Sequence, residues 1–254
     1  MHILLTNDDG IFAAGLAVMY KRLSKLGRVT VVAPSTVQSG AGHSISLREI
    51  TCCKLEILGL FTGYSVDGSP ADCVKLAVNE IAKSDDPFDL VVSGINYGAN
   101  VGINVFYSGT VAGAIESAFN NLPAIAVSAA TEEPWNVDAA GDWAMKVINQ
   151  LLPLKPQQVI NLNIPKLSKR PPAGIKVVPQ STSGFEESFQ ILNGLDGKAM
   201  YRLTGGNHRD QFKQDQWTDT MAIEAGYITL TSLRLDLTES AGNDILKQKY
   251  LQLK

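Results

Sequence analysis

The chain has 254 residues, with 22 basic and 25 acidic side chains and a formal net charge of −3. At 45% hydrophobic and 19% charged residues it can bury a sizeable core, which excludes a disordered chain. The near-neutral balance argues against binding nucleic-acid duplexes or anionic membranes by bulk charge, but not against an anionic substrate met through a metal.

The apolar run Ile3-Leu4-Leu5 predicts a buried strand over 2–6, and the spacing in 15–26 predicts an amphipathic helix closed by Gly27. A second strand over 29–33 stops at Pro34. Residues 34–46, rich in Ser and Gly, read as a long loop, and 51–58 and 64–66 as short extra strands. A helix is expected over 70–83, with Ser69 as N-cap, Pro70 at its first position and Asp72 in its first turn. The continuous apolar strand at 88–93 suits a parallel sheet covered on both faces. A Gly/Asn-rich loop follows, then a helix over 110–121, a strand over 124–127, a helix over 139–152 and a strand over 159–162. Repeated β-α-β units of this kind imply a Rossmann-like, doubly wound and mostly parallel sheet in a three-layer α/β/α arrangement.

The last third has a different pattern. Strands at 188–192 and 199–203 flank a Gly-rich turn at 193–197, predicting a β-hairpin. Thr218 caps a short helix ending at Gly226, a strand covers 227–233, and a helical tail covers 243–253. A hairpin and tail appended to an α/β core either mediate subunit contact or add cover to the same sheet.

Of the three cysteines, Cys52 and Cys53 are adjacent and Cys73 stands alone, so no disulfide framework is present. No apolar run approaches the ~20 residues that span a bilayer. The chain opens on a strand without a basic leader, and a cytoplasmic, reduced location is the expectation.

Ligands of open parallel sheets bind beyond the carboxyl ends of the strands, near the point where strand order reverses. Three loops deliver polar groups to that rim: Asn7-Asp8-Asp9-Gly10, the segment from Ser39 to Ser44, and Gly94 to Asn100 followed by Ser108-Gly109-Thr110. Adjacent carboxylates such as Asp8 and Asp9 repel each other, so their joint ionisation favours a nearby cation. Ser39 and Asn96 can complete an oxygen shell for a hard ion, Mg²⁺ or Mn²⁺. The same N-D-D-G segment also makes a good solvated turn. Ser108-Gly109-Thr110 opens a helix and suits an anion at its free amides, a use compatible with ordinary capping. His43 could assist proton transfer or serve structure, Asp72 reads as a capping carboxylate, and Cys73 as core. The chain lacks a G-x-x-x-x-G-K-[ST] loop, a G-x-G-x-x-G turn after the first strand and a G-x-S-x-G elbow.

Taken together, ILLTNDDG at 3–10, SGAGHSIS at 39–46, GSPADCV at 68–74, DLVVSGINYGANVG at 89–102 and YSGTVAGAIES at 107–117 carry a family resemblance. With Thr218-Asp219 and GYITLTSLRLDLT at 226–238, the chain resembles the survival protein E (SurE) family of stationary-phase nucleotidases along essentially its whole length. Ser69 stands where that family usually has threonine, which keeps the cap. The resemblance implies a phosphoric monoester hydrolase acting on nucleoside 5′- and 3′-monophosphates with one divalent cation per subunit. It would place the metal on Asp8, Asp9, Ser39 and Asn96, catalysis on Asp8 and Asp9, and phosphate contacts on Ser108, Gly109 and Thr110. It further implies a single α/β domain over 1–254 that forms a homodimer or homotetramer through a hairpin at 184–205 and a tail at 232–254. The competing readings are a receiver-like signalling domain and a non-catalytic metal- and nucleotide-binding module. A receiver domain needs a phospho-accepting aspartate where this chain has Ser93-Gly94.

Overall fold

A computed structural model describes residues 1–183, 187–193, 199–204 and 217–250. Most of the hairpin's turn and the last four residues of the tail lie outside the described residues.

Strand β1 (His2–Thr6) is buried along its whole length. It lies between β2 (Arg28–Pro34) and β5 (Leu90–Tyr97), parallel to both, with Leu5 opposite Val31 on one side and Val92 on the other. Among the described residues, nine strands form one sheet in the order β3-β4-β2-β1-β5-β6-β7-β11-β8. The remaining members are β3 (Cys52–Ile57), β4 (Phe61–Val66), β6 (Ala124–Ala129), β7 (Val159–Ile164), β8 (Ile175–Val177) and β11 (Ile228–Leu233). Pairing is parallel from β4 through β7, while β3 and β11 run antiparallel to β4 and β7. The chain builds outward from β1 to β2 and β4, then crosses to β5 on the opposite side of β1. Strand order therefore reverses at β1 and β5.

The two-residue period of β1 assembles two cores. Ile3 and Leu5 face one side, where they join Leu16, Met19 and Leu23 of α1 (Ala14–Leu23) and Ala144, Val147 and Ile148 of α5 (Val137–Leu151). Leu4 faces the other, with Cys73 and Val74 of α2 (Pro70–Leu76) and Val111 and Ala114 of α4 (Gly109–Phe119). Helices cover both faces, as the alternating pattern predicts: the fold is α/β, doubly wound and three-layered.

Ser69 caps α2 as expected. Its hydroxyl accepts the Asp72 N–H at 3.1 Å, and the Asp72 carboxylate accepts the Ser69 N–H at 2.9 Å. The helix expected over 70–83 is shorter: α-helical geometry ends at Leu76 and a wider turn, Ala77–Ile81, closes with the Ala82 N–H on the Ala77 carbonyl. Strand β5 runs past its predicted end at Ser93 to Tyr97, because Asn96 and Tyr97 continue the ladder on Ser128 and Ala129 after a bulge at Gly94. Asn96 therefore stands on a strand end rather than in a free loop. Neither the edge strand β8 nor the short helix α3 (Asn104–Tyr107) was signalled by periodicity.

The hairpin, β9 (Ser188–Asn193) with β10 (Ala199–Thr204), forms a separate two-stranded sheet. The short helix after Thr218 is α6 (Asp219–Glu224), and the tail helix α7 (Ser240–Tyr250) starts earlier than expected and buries no residue.

Leu4 has no exposed surface at the centre of its cluster. Leu4→Ala is expected to cost about 2–5 kcal/mol, the range for an uncollapsed leucine cavity, measured as a lower midpoint in urea unfolding at unchanged slope.

Candidate active site

The carboxyl ends of β1 and β5, where strand order reverses, open onto a cleft of about 210 Å³. Asp8, Ser39, Asn96 and Ser108 line it together with Tyr97, Asn100, Asn104 and Tyr107. Four of the seven residues singled out in the sequence thus share one wall, although they lie up to 100 positions apart in the chain. Asp9 adjoins the cleft, with its carboxylate turned to the backbone of β5. Gly109 and Thr110 are buried behind Asp8.

Asp8 leaves the end of β1 almost fully buried. Its Oδ1 accepts the Thr110 hydroxyl, and the Thr110 N–H at the start of α4 also favours its charged form. The start of α4 comes this close because residue 109 is glycine. A Cβ there would lie 2.8 Å from the Asp8 Cβ and 3.1 Å from its Oδ2. The glycine at this position serves the approach of the helix to the carboxylate, and Thr110 spends its hydroxyl orienting Asp8. Ser108 caps α4, its Oγ accepting the Val111 N–H at 3.1 Å. Asp9 Oδ2 accepts the Tyr97 N–H at 3.1 Å.

Burial is the main influence on both carboxyls and pushes both above the usual carboxylate range. For Asp8 the Thr110 hydrogen bond opposes burial and the neighbouring Asp9 charge adds to it; for Asp9 the Tyr97 N–H opposes it. Among the described residues, neither of these two adjacent carboxylates forms an ion pair with a basic side chain. The donors fit a hard divalent cation: two carboxylates, the Ser39 hydroxyl, and the Asn96 amide, whose NH₂ is spent on the Gly98 carbonyl at 2.7 Å, leaving its oxygen. No cluster of three or more His, Cys, Asp or Glu side chains with metal-holding geometry occurs among the described residues. A shell built from two carboxylates, a hydroxyl and an amide would not form such a cluster.

Several supporting residues escaped sequence reasoning. Asn100 is held by the buried ends of β6 and β7. Its N–H bonds Asn163 Oδ1 at 2.8 Å, its side-chain amide bonds Ser128 Oγ at 2.8 Å, and its carbonyl accepts Asn161 Nδ2 at 2.8 Å. The available signal was Asn161 and Asn163 alternating with apolar residues inside a buried strand, where an amide is retained only if hydrogen-bonded. Asp219 reaches the same loop, accepting the Gly102 N–H at 3.0 Å. His43 does not line the cleft; it pairs with Glu116.

A family model described as Survival protein SurE matches residues 3–187. The chain belongs to the SurE family. It is 39% identical over 251 residues to the 5′-nucleotidase SurE of Rhodopirellula baltica, covering 98% of this chain and 97% of that relative. It is 40% identical over 255 residues to the 5′-nucleotidase SurE of Desulfitobacterium hafniense, covering 99% and 96%. The crystal structure of the SurE protein from Aquifex aeolicus superposes with a TM-score of 0.82 at 35% identity, covering 99% of this chain and all of that one. The SurE match confirms the fold class and family expected from the motifs.

Since burial raises the Asp8 and Asp9 carboxyls in the folded protein, the metal-free fold binds protons more tightly there than the unfolded chain. Stability from these groups is therefore highest at low pH and is lost as pH rises from the ordinary value of 3.8 through the raised folded values. Asp8→Asn removes one of the two charges. In metal-free protein at neutral pH it is expected to raise stability by about 1 kcal/mol, seen as a thermal midpoint higher by about 2–4 °C.

Proposed function

We propose that this chain is a divalent-cation-dependent nucleotidase that hydrolyses nucleoside 5′- and 3′-monophosphates to nucleoside and phosphate. The observation that carries the reading is the convergence of Asp8, Ser39 and Asn96, with Asp9 next to Asp8, beside the capped N-terminus of α4 at the reversal of strand order. The names of its relatives support the 5′ activity.

In this reading Asp8, Asp9, Ser39 and Asn96 hold one Mg²⁺ or Mn²⁺ per subunit. When bound, such an ion supplies positive charge that offsets the charge of the phosphoryl oxygens. Ser108 and the Gly109 amide at the N-terminus of α4 orient the remaining phosphate oxygens, at a helix end whose dipole favours anions. Thr110 fixes the rotation of the Asp8 carboxylate. Asp8 lines the cleft at the end of β1 with its rotation fixed by Thr110, and we assign to it the activation of an attacking water. Tyr107 and Asn104 also line the cleft and are available to a nucleoside. A receiver-like domain is not favoured, since β5 presents the buried Ser93 in place of an aspartate.

We further infer that the chain is one α/β domain acting in the cytoplasm as a homodimer or homotetramer. No helix among the described residues is long and apolar enough to cross a membrane. The hairpin leaves Phe189, Ile191, Met200, Tyr201 and Leu203 exposed, and α7 leaves Ile245, Leu246 and Tyr250 exposed. Apolar surface of this extent marks an interaction face. The segment before α7 runs beside an apolar cavity of about 500 Å³ walled by Phe106, Phe119, Leu235 and Leu237.

Phosphate release from a panel of nucleoside monophosphates tests the activity. Wild type should turn over with Mn²⁺ or Mg²⁺ and stop with chelator, and Asp8→Asn should lose roughly 10²–10⁴-fold in kcat. A variant keeping most of its turnover refutes the assignment. Light scattering tests the assembly: the wild type should run as a dimer or tetramer, and Ile191→Lys combined with Tyr201→Lys should lower the mass. A monomeric wild type overturns it.

A further inference from the structure

Of the four proposed oxygen donors, Asn96 stands in the ladder of β5, and Asp8 and Asp9 follow within three residues of the end of β1, with Asp9 tied to the Tyr97 N–H. Ser39 lies five residues beyond β2. It belongs to an irregular stretch between β2 and β3 and is itself exposed. Its position against Asp8 depends on whatever ties that stretch down. On the near side the tie is the Gln38 N–H on the Asp8 carbonyl at 2.8 Å. On the far side the Gly42 N–H bonds the Tyr107 carbonyl at 3.0 Å, with Gly42 at φ 57°, and His43 then reaches α4.

His43 meets Glu116 there, Nε2 to Oε2 at 2.9 Å, and its ring stacks over Phe119 with centroids 5.7 Å apart. Glu116 is buried and is the one charged residue of α4, a placement that is costly unless the charge is paired. Its second oxygen accepts Lys75 Nζ of α2 at 2.7 Å. Burial alone would push the Glu116 carboxyl up, but the hydrogen bonds from His43 and Lys75 outweigh it and hold it below its ordinary range. The ionised carboxylate only accepts, so the proton lies on His43 Nε2. One side chain thus joins α2, α4 and the Ser39 stretch, and α4 begins with the residues that orient Asp8.

We propose that Glu116, acting through His43, is a positioning residue that sets Ser39 against Asp8 and so tunes the affinity of the cleft for its divalent cation. This rests on the reading of the cleft as a cation site. Neither His43 nor Glu116 touches the cleft, so the effect is on geometry and not on donor chemistry. His43 is partly exposed, so its truncation leaves the core intact.

The test is calorimetric titration of metal-stripped, full-length protein with Mn²⁺, together with thermal unfolding of each metal-free variant. His43→Ala should weaken Mn²⁺ binding roughly 10-fold, as loss of a supporting hydrogen bond does at other metal sites, while the metal-free protein still unfolds in a single cooperative transition. His43→Gln, whose amide can still donate to Glu116, should recover most of that loss. Glu116→Ala should weaken binding similarly, and the double variant should be no weaker than either single one. Unchanged Mn²⁺ affinity in His43→Ala, or no recovery with glutamine, overturns the proposal while wild type still binds. If wild type binds neither Mn²⁺ nor Mg²⁺, the cation reading falls, and the positioning role with it.

Discussion

Two neighbouring carboxylates at the buried end of the central strand constrain everything around them. Charge removed from water must be met by hydrogen-bond donors or by an opposite charge, and the fold supplies donors from two elements, α4 and β5. Thr110 gives its hydroxyl and amide to Asp8, Tyr97 gives its amide to Asp9, and the absent side chain of Gly109 lets α4 come near enough to do so. These donors only partly offset burial, since both carboxyls stay raised. The remaining deficit is what supports the proposal of a cation in the cleft.

The helix starts do more than begin helices. The Asp72 carboxylate that completes the capping box of α2 also accepts the Ser46 N–H at 3.0 Å and the Ser46 hydroxyl at 2.8 Å. Ser69, the cap itself, donates its hydroxyl to the Ser44 carbonyl at 2.7 Å. The cap of α2 and the Glu116 pair on α4 therefore hold successive points of one irregular stretch. Rigid helices on one face of the sheet thus organise a segment with no ladder of its own.

The layered architecture was legible because parallel strands covered on both faces read as unbroken apolar runs, and covering helices show spacings such as Leu16, Met19 and Leu23. The capping role of Ser69 was legible for the same reason, since a cap needs only its own next few residues. Strand ends were less so. The extension of β5 to Tyr97 depends on a neighbour, β6, that offers Ser128 and Ala129 as partners beyond the bulge. The wider turn ending α2 likewise has no local sequence signature.

By itself the sequence determined the α/β class, the order of its units, and a set of oxygen-bearing side chains at the ends of particular strands. These follow from interactions within a few residues, which period, caps and composition record directly. Tertiary structure alone decided that Asp8 lies beside Thr110 and Asn96, that Asn161 and Asn163 tie the loop at Asn100, and that His43 pairs with Glu116 73 positions away. Such contacts exist only once β1 and β5 lie side by side and α4 has packed across them. No local pattern can encode a distance that the packing of remote elements sets.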